Sequence, residues 1–354
     1  MLILLDCRPL LTDRSNGEKT ELIISCVKFL AKERGVEWLF LVDSRYREGL
    51  LPGLSDGILP VRRALPWLAG WKIRYDRVLS RAVKKHRPDL FMSTGLLPAP
   101  RTGLPQCLWM SEKAGKKCSH KLRDAGVLFT FSEKDRTFLA ARLGDDPGIR
   151  DKIRVIPGAP GEGYNLLPGE EKEKVKEAYA GGKEYFLAAT DGHRPEEWMD
   201  LLKAFSLFKK RQLSNMQIVL IPAAPGSGIH TGSKLDTYKY RADTHLYNEL
   251  SREERARLLA ACYAFLPPSD PESIGLSLLN AWSVGVPILY AQRKDPAALA
   301  AQMMTIYKDE RLRASLVEKG QLEVQAFSWE RTAGAVWEGI ERAVGGFPKS
   351  AINK

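Results

Sequence analysis

Apolar residues recur along this chain in two alternating rhythms. Short apolar runs at 2–5, 38–42, 90–93, 106–110 and 127–131 read as buried strands. Between them lie longer stretches whose apolar positions fall three and four apart, the mark of helices. Residues 6–17 form a polar loop. From Glu18, the positions Leu22, Ile23, Cys26, Val27, Phe29 and Leu30 then describe a helix of about four turns. Near-continuous apolar strands separated by helices predict a parallel sheet covered on both faces. Ser132 reads as the N-cap of a helix over 133–143, and 154–156 as a last strand.

A turn-rich stretch with four glycines follows at 157–169, and we read it as an interdomain linker. The same pattern then restarts. Helices are predicted over 170–180, 198–210 and 252–261, with strands over 185–189, 217–221 and 264–266. Residues 222–244 show no period and read as a long loop. The stretch PPSDPESIGLSLLNAWSVGVP (267–287) passes from a proline-bearing polar turn through Glu272 into an apolar helix that stops at Gly285 and Pro287. A loop feeding a short helix presents free backbone N–H groups where an anion can sit, although a plain packed corner of a sheet carries the same pattern. Residues 288–290 read as a short strand, 297–307 and 310–323 as helices, and FSWERTAGAVWEGIERA as a terminal amphipathic helix.

Composition narrows the class. At 354 residues the chain suits two domains, and 44% hydrophobic with 27% charged residues is the balance of a globular protein. No apolar run is long enough for a transmembrane helix, and MLILLDCRPLL reads as a first buried strand with no signal peptide. The five cysteines contain no CxxC pair, which argues against a disulfide framework or zinc site and favours a reducing compartment. Neither His230 nor His245 has a partner at metal-ligand spacing. The net charge of +11 calls for an anionic partner: nucleic acid, an acidic membrane face or a phosphorylated small molecule.

Charge is concentrated in two places. Residues 61–90 hold nine Lys or Arg against two Asp, set around the helical stripe Trp67, Leu68, Trp71, Tyr75, Val78, Leu79 and Ala82. A basic amphipathic helix of this kind lies on an anionic bilayer or packs its stripe on a sheet with its charges in water. Lys113, Lys116, Lys117, Lys121 and Arg123 add a second cluster. Neither is interleaved with a nucleic-acid reading motif, so nucleic acid is not the expected partner. The loop at Gly17 precedes a helix and offers a phosphate a seat, yet GxGxxG is absent after the first strand.

Four stretches resemble a known family: the first loop with Gly17; SEKDRTFLAARLG with IRVIPGAP; YFLAATDGHRPEEWMDLLKAF; and PSDPESIGLSLLNAWSVGVPI. The closing FSWERTA is also typical. Together they are similar to the two-domain, metal-independent retaining glycosyltransferases of the group 1, family 4-like class, relatives of bacterial mannosyl- and glucosyltransferases. The resemblance implies an α/β fold of GT-B architecture, two Rossmann-like parallel-sheet domains facing each other across a cleft. It implies an acceptor-side domain over 1–165, completed by the terminal helix at 328–345, and a nucleotide-sugar domain over 166–327. No metal or other cofactor is implied beyond the nucleotide-sugar substrate. The acceptor would be a glycan or lipid-linked precursor of the cell envelope or a polysaccharide, and the enzyme would be cytoplasmic, peripheral on the inner membrane face.

Carried over residue by residue, the family pattern puts Glu272 beside the transferred sugar. Ser273, Ile274 and Gly275 follow it at the start of the helix, and Gly17 and Gly275 give close backbone approach to phosphate. The ribose position, a Glu in the family, is Asn280 here. The family's diphosphate-binding Arg and Lys align with Pro195 and Glu196, leaving Arg194 as the substitute cation. The family's first-domain His is absent from 106–112, and 290–296 is shorter than usual. These departures all fall on the donor side. They leave a second reading open, a catalytically silent scaffold that binds a glycan, a lipid-linked precursor or a partner transferase.

Overall fold

The computed structural model describes residues 1–8, 17–43, 57–61, 71–95, 103–110, 122, 125–143, 147–190, 195–223, 228–229, 234–267, 275–290 and 295–347. The chain divides into two units, one from Met1–Asp13, Lys19–Pro157 and Trp329–Lys354, the other from Arg14–Glu18 and Gly158–Ser328.

The first unit carries strands β1 (Leu2–Asp6), β2 (Glu37–Asp43), β3 (Ile58–Val61), β4 (Leu90–Ser93), β5 (Gln106–Met110), β6 (Val127–Thr130) and β7 (Ile153–Val155). They form one parallel sheet in the order β3-β2-β1-β4-β5-β6-β7. Its helices are α1 (Gly17–Arg34), α2 (Trp71–His86), α3 (Glu133–Leu143) and the short α4 (Pro147–Arg150). Leu79 of α2 joins Leu4, Leu41, Val61 and Phe91 in one core, with Val78, Ala82 and Val83 packed against it. Leu139 and Ala140 of α3 join Leu108, Leu128 and Ile153 in another. Ser132 caps α3, its Oγ accepting from the Asp135 N–H at 3.1 Å.

The second unit carries β8 (Tyr185–Thr190), β9 (Gln217–Pro222), β10 (Thr244–Leu246) and β11 (Ala264–Leu266), parallel in the order β10-β9-β8-β11. Around them stand α5 (Gly169–Ala180), α6 (Pro195–Gln212), α7 (Arg252–Ala261), α8 (Leu276–Ser283), α9 (Pro296–Lys308) and α10 (Glu310–Val324). Alternation along β8 sorts its side chains to two cores. Phe186 and Ala188 meet Trp198, Phe205 and Phe208 of α6 and Met303 of α9. Tyr185, Leu187 and Ala189 meet Val175, Leu258, Leu259 and Ala281 on the other face. Ser251 and Glu254 form a reciprocal capping box at the start of α7.

The last helix, α11 (Trp329–Gly345), lies on β5 and β6 of the first sheet. Glycine is required at Gly339, where any Cβ would collide with the Phe129 ring. The Gly339 carbonyl accepts from Cys107 Sγ at 3.9 Å, and Arg34 of α1 stacks over Trp337.

The structure departs from the sequence reading where edges and prolines intervene. β3 contains Pro60, and β10 is three residues of mixed polarity that begins at Thr244, the last residue of the stretch read as a loop. Both are edge strands, where a missing donor or a polar side chain is tolerated. Helix α6 begins at Pro195, three residues before the expected start, because proline suits the first turn of a helix. Residues 288–290 form no strand: Ile288 makes a single bridge to Phe265. The stripe positions Trp67 and Leu68 and the second basic cluster, apart from its neighbour Leu122, lie outside the described residues.

A polar network closes the far edge of the second sheet. Buried Lys209 donates to the Met216 carbonyl at 3.1 Å and pairs with Asp243 at 2.9 Å. Gln217 Nε2 donates to Asp243 at 2.9 Å and to the Asn215 carbonyl at 2.7 Å, so its Oε1 accepts from His245 Nε2 at 3.1 Å. Burial, then Arg241, pulls His245 below the ordinary histidine pKa of 6.5. The unfolded chain therefore binds this proton more tightly than the folded one, and His245 makes stability fall as pH drops below about 6.5. Burial opposes ionisation of Asp243, but its bonds to Lys209 and Gln217 outweigh that and hold its pKa below the usual 3.8, a contribution lost only in stronger acid. Urea titrations at pH 7.5 and 5.5 should show a smaller loss of stability in His245→Gln than in the native protein. An equal loss in both would remove His245 as the cause.

Candidate functional site

Both sheets begin with the same arrangement, the third, second, first and fourth strands in that spatial order. Chain direction around the sheet reverses between the first and fourth strands. The connections leaving their carboxyl ends diverge there and open a crevice suited to ligands. In the second sheet the pair is β8 and β11. Arg194 follows the end of β8 by four residues, and Glu272, Ser273 and Ile274 lie in the connection after β11. All four fall outside the described residues, as do the side chains of Pro195 and Glu196.

Gly275 and Asn280 are described, and both belong to α8. Gly275 is its N-cap in extended backbone (φ −84°, ψ 164°), with no side-chain hydrogen bond to the first turn. A cap without a side chain leaves the positive end of the helix unshielded. Asn280 lies inward, buried to 5% exposure, and its Oδ1 accepts the Gly161 N–H at 2.7 Å. Ser283 Oγ donates to the Tyr164 carbonyl at 3.1 Å, so α8 holds the connecting stretch after β7 at two points. Gly161 fits tightly there: an added Cβ would stand 3.0 Å from the Tyr164 ring and 3.2 Å from Arg252 Nη2. Asn280 Nδ2 makes no hydrogen bond among the described residues, so this is the end of the side chain left to a ligand.

The carboxyl ends of β8 and β9 hold polar groups that sequence reasoning missed. Thr190, the last residue of β8, is fully buried and its Oγ1 has no partner among the described residues. Arg255 Nη1 donates to the Pro222 carbonyl at the end of β9 at 2.7 Å, while its Nε and Nη2 are buried without partners among the described residues. Burial pulls the Arg255 guanidinium below its ordinary range, with Tyr164 acting weakly in the opposite sense. A signal for Arg255 was present: it precedes Leu258, Leu259 and Cys262 by three, four and seven positions, on the buried stripe of α7.

In the first unit the reversal falls between β1 and β4. Asp6, at the end of β1, is 2% exposed and receives both Nε and Nη2 of Arg8 at 2.8 Å. The Thr94 hydroxyl, just past β4, donates to the Asp6 carbonyl at 2.7 Å. Gly17 opens α1, on the connection that leaves β1. Cys7, Cys26, Cys107 and Cys262 are buried and free, and burial raises each thiol far above its ordinary pKa. Among the described residues no group of three His, Cys, Asp or Glu stands close enough to hold a metal ion.

No protein-family model and no curated protein matches this sequence. Solved structures match its fold along nearly the whole chain. A glycosyltransferase from Rickettsia africae is 14% identical with a TM-score of 0.77, covering 97% of this chain and 98% of its own. Anabaena HepE, solved in complex with UDP-glucose, is 13% identical with a TM-score of 0.71, covering 96% and 99%. A sucrose-phosphate synthase from Thermosynechococcus elongatus is 13% identical with a TM-score of 0.70, covering 98% and 100%. The fold is therefore α/β of the GT-B type, with two Rossmann-like parallel-sheet units.

Asn280→Ala would leave the Gly161 N–H without its acceptor. Thermal or urea unfolding should show a loss of about 1–3 kcal/mol. A loss well under 0.5 kcal/mol would mean water replaces the side chain and the bond anchors nothing.

Proposed function

We propose that this protein is a retaining, metal-independent glycosyltransferase. It moves a sugar from a nucleotide-sugar to a glycan or lipid-linked acceptor of the cell envelope or a surface polysaccharide. One observation carries the reading. The second sheet reverses its strand order between β8 and β11, and α8 starts there at Gly275 without a side-chain cap, which supports the reading; by sequence, Arg194 and Glu272 fall in the connections after those two strands, the positions the family resemblance assigns to the donor. That HepE was solved with UDP and with UDP-glucose supports a nucleotide-sugar as the donor class.

The chemistry asks for two things. The departing diphosphate needs fixed positive groups, and the acceptor hydroxyl must be held against the anomeric carbon. Arg194 and the N–H groups at Gly275, Ser273 and Ile274 neutralise the diphosphate, and Gly17 offers close backbone approach to a phosphate at the start of α1. Glu272 holds the transferred sugar, and Asn280 offers Nδ2 to a ribose hydroxyl. An amide in place of the family's carboxylate gives up a charge-assisted bond, a loss of about 1–2 kcal/mol.

Asn280 also favours the silent-scaffold reading, since its oxygen already serves Gly161. Calorimetry with UDP, GDP and their common sugar conjugates separates the two. Micromolar binding by the native protein, weakened at least tenfold in Glu272→Ala and Arg194→Ala, supports the transferase. An absence of binding across the panel supports the scaffold.

Association with an anionic membrane face follows from α2. Its apolar side is used in the core, while Arg77, Arg81, Lys84 and Lys85 are exposed and make no ion pair among the described residues. No helix among the described residues is long and apolar enough to cross a membrane, so the contact would be peripheral. Each basic residue near an anionic surface contributes about 1 kcal/mol. The protein should float with phosphatidylglycerol vesicles at low salt, and a variant with these four residues changed to Gln should remain in the pellet. Equal flotation of the two would exclude α2 as the contact.

A further inference from the structure

The unpaired edge of Arg255 has a defined chemical shape. A guanidinium keeps its charge at any pH a protein meets, so burying two of its donors without partners is costly. The same edge is filled elsewhere in the molecule: Arg8 gives Nε and Nη2 to the two oxygens of Asp6, both at 2.8 Å. This side-on fork matches two oxygens of one carboxylate or phosphate. Arg255 is held in the opposite sense, by its third nitrogen, which is tied to the Pro222 carbonyl at 2.7 Å. Among the described residues no carboxylate pairs with it, and Tyr164 is the titratable neighbour that acts on it.

Its place in the fold gives the empty edge a use. Arg255 lies one turn into α7, at the carboxyl ends of β8 and β9, beside the crevice where the donor is proposed to sit. The stretch holding Tyr164 is fastened to α8, whose uncapped start faces the same sheet edge. Arg255 as a residue is only half-buried, so part of the side chain reaches solvent. At the positions where the family carries Arg and Lys, this chain has Pro195 and Glu196. A cation from another helix is what that loss calls for.

We propose that Arg255 is an oxyanion-binding residue of the second unit, its Nε and Nη2 taking two oxygens of a phosphate or carboxylate carried by the nucleotide-sugar. The proposal rests on the nucleotide-sugar reading. The oxyanion is either the diphosphate common to all such donors or the carboxylate of a uronic-acid sugar.

The test is calorimetry of uridine, UDP, UDP-glucose and UDP-glucuronate, or the guanosine counterparts if the native protein prefers GDP, against native protein, Arg255→Gln and Arg255→Lys. Thermal unfolding of each unliganded protein runs beside it. If the diphosphate is the ligand, UDP affinity falls ten- to a hundredfold in Arg255→Gln, less in Arg255→Lys, and uridine is unaffected. If the carboxylate is the ligand, UDP is unchanged and the preference for UDP-glucuronate over UDP-glucose disappears. Removing an unpaired buried cation should leave the unliganded melting temperature of Arg255→Gln unchanged or higher. Unchanged affinities in both variants, with a lowered melting temperature, would overturn the proposal and make Arg255 only a cap on β9. Native protein that binds none of the ligands would overturn the nucleotide-sugar reading first, and this proposal with it.

Discussion

A parallel sheet satisfies its backbone only through its own neighbours, and both of its faces must be covered. Most of this molecule follows from that requirement. It sets the apolar strands, the helices on either side of β8, and Gly339, which lets α11 lie close to β5 and β6. It also decides where chemistry is possible. The faces are filled by Phe186, Phe205 and Met303 on one side and by Leu187, Leu259 and Ala281 on the other, so only the ends of the strands stay open to a ligand. The reversal of strand order then selects one gap along each carboxyl edge.

The fold was legible in the sequence because burial leaves a periodic trace. The stretches around Val127, Arg252 and Ala264 gave their elements almost to the residue, since strand and helix periods there are uninterrupted, as did the helix whose start the cap Ser132 marks. Where periodicity is not what holds an element, the reading failed. β10 exists because Thr244 to Leu246 pair with Ile218 to Leu220 along an edge, a relation no local pattern records. The run at 288–290 looked like a strand by composition and makes only one bridge.

The site was less legible, for a different reason. Gly275 and Asn280 could be singled out by resemblance, but the bond from Gly161 to Asn280 spans 119 positions and no spacing announces it. Arg255 sits on an otherwise buried stripe, and in a chain with 54 Lys and Arg one more charge on a helix attracts no notice. What sets it apart is the absence, among the described residues, of a partner on one edge, a property of the folded surroundings and not of the residue. The cations of α2 illustrate the converse. Their exposure was predictable from the stripe that Val78, Leu79 and Ala82 define, because a helix that buries one side must show the other.

The position of α11 has a consequence for how the chain comes off the ribosome. The Cys107 contact with Gly339 joins residues 232 positions apart, and Phe129 meets the same turn of helix. Between those partners lies Gly158–Ser328, all of the second unit except Arg14–Glu18. During synthesis the later-encoded unit can therefore complete its core while the earlier one still shows a bare strip of sheet over β5 and β6. Loop closure over such a distance is slow to nucleate, and vectorial synthesis lengthens the wait. The half of the protein made first is the half finished last, and its exposed strip is where a nascent-chain chaperone would have reason to bind.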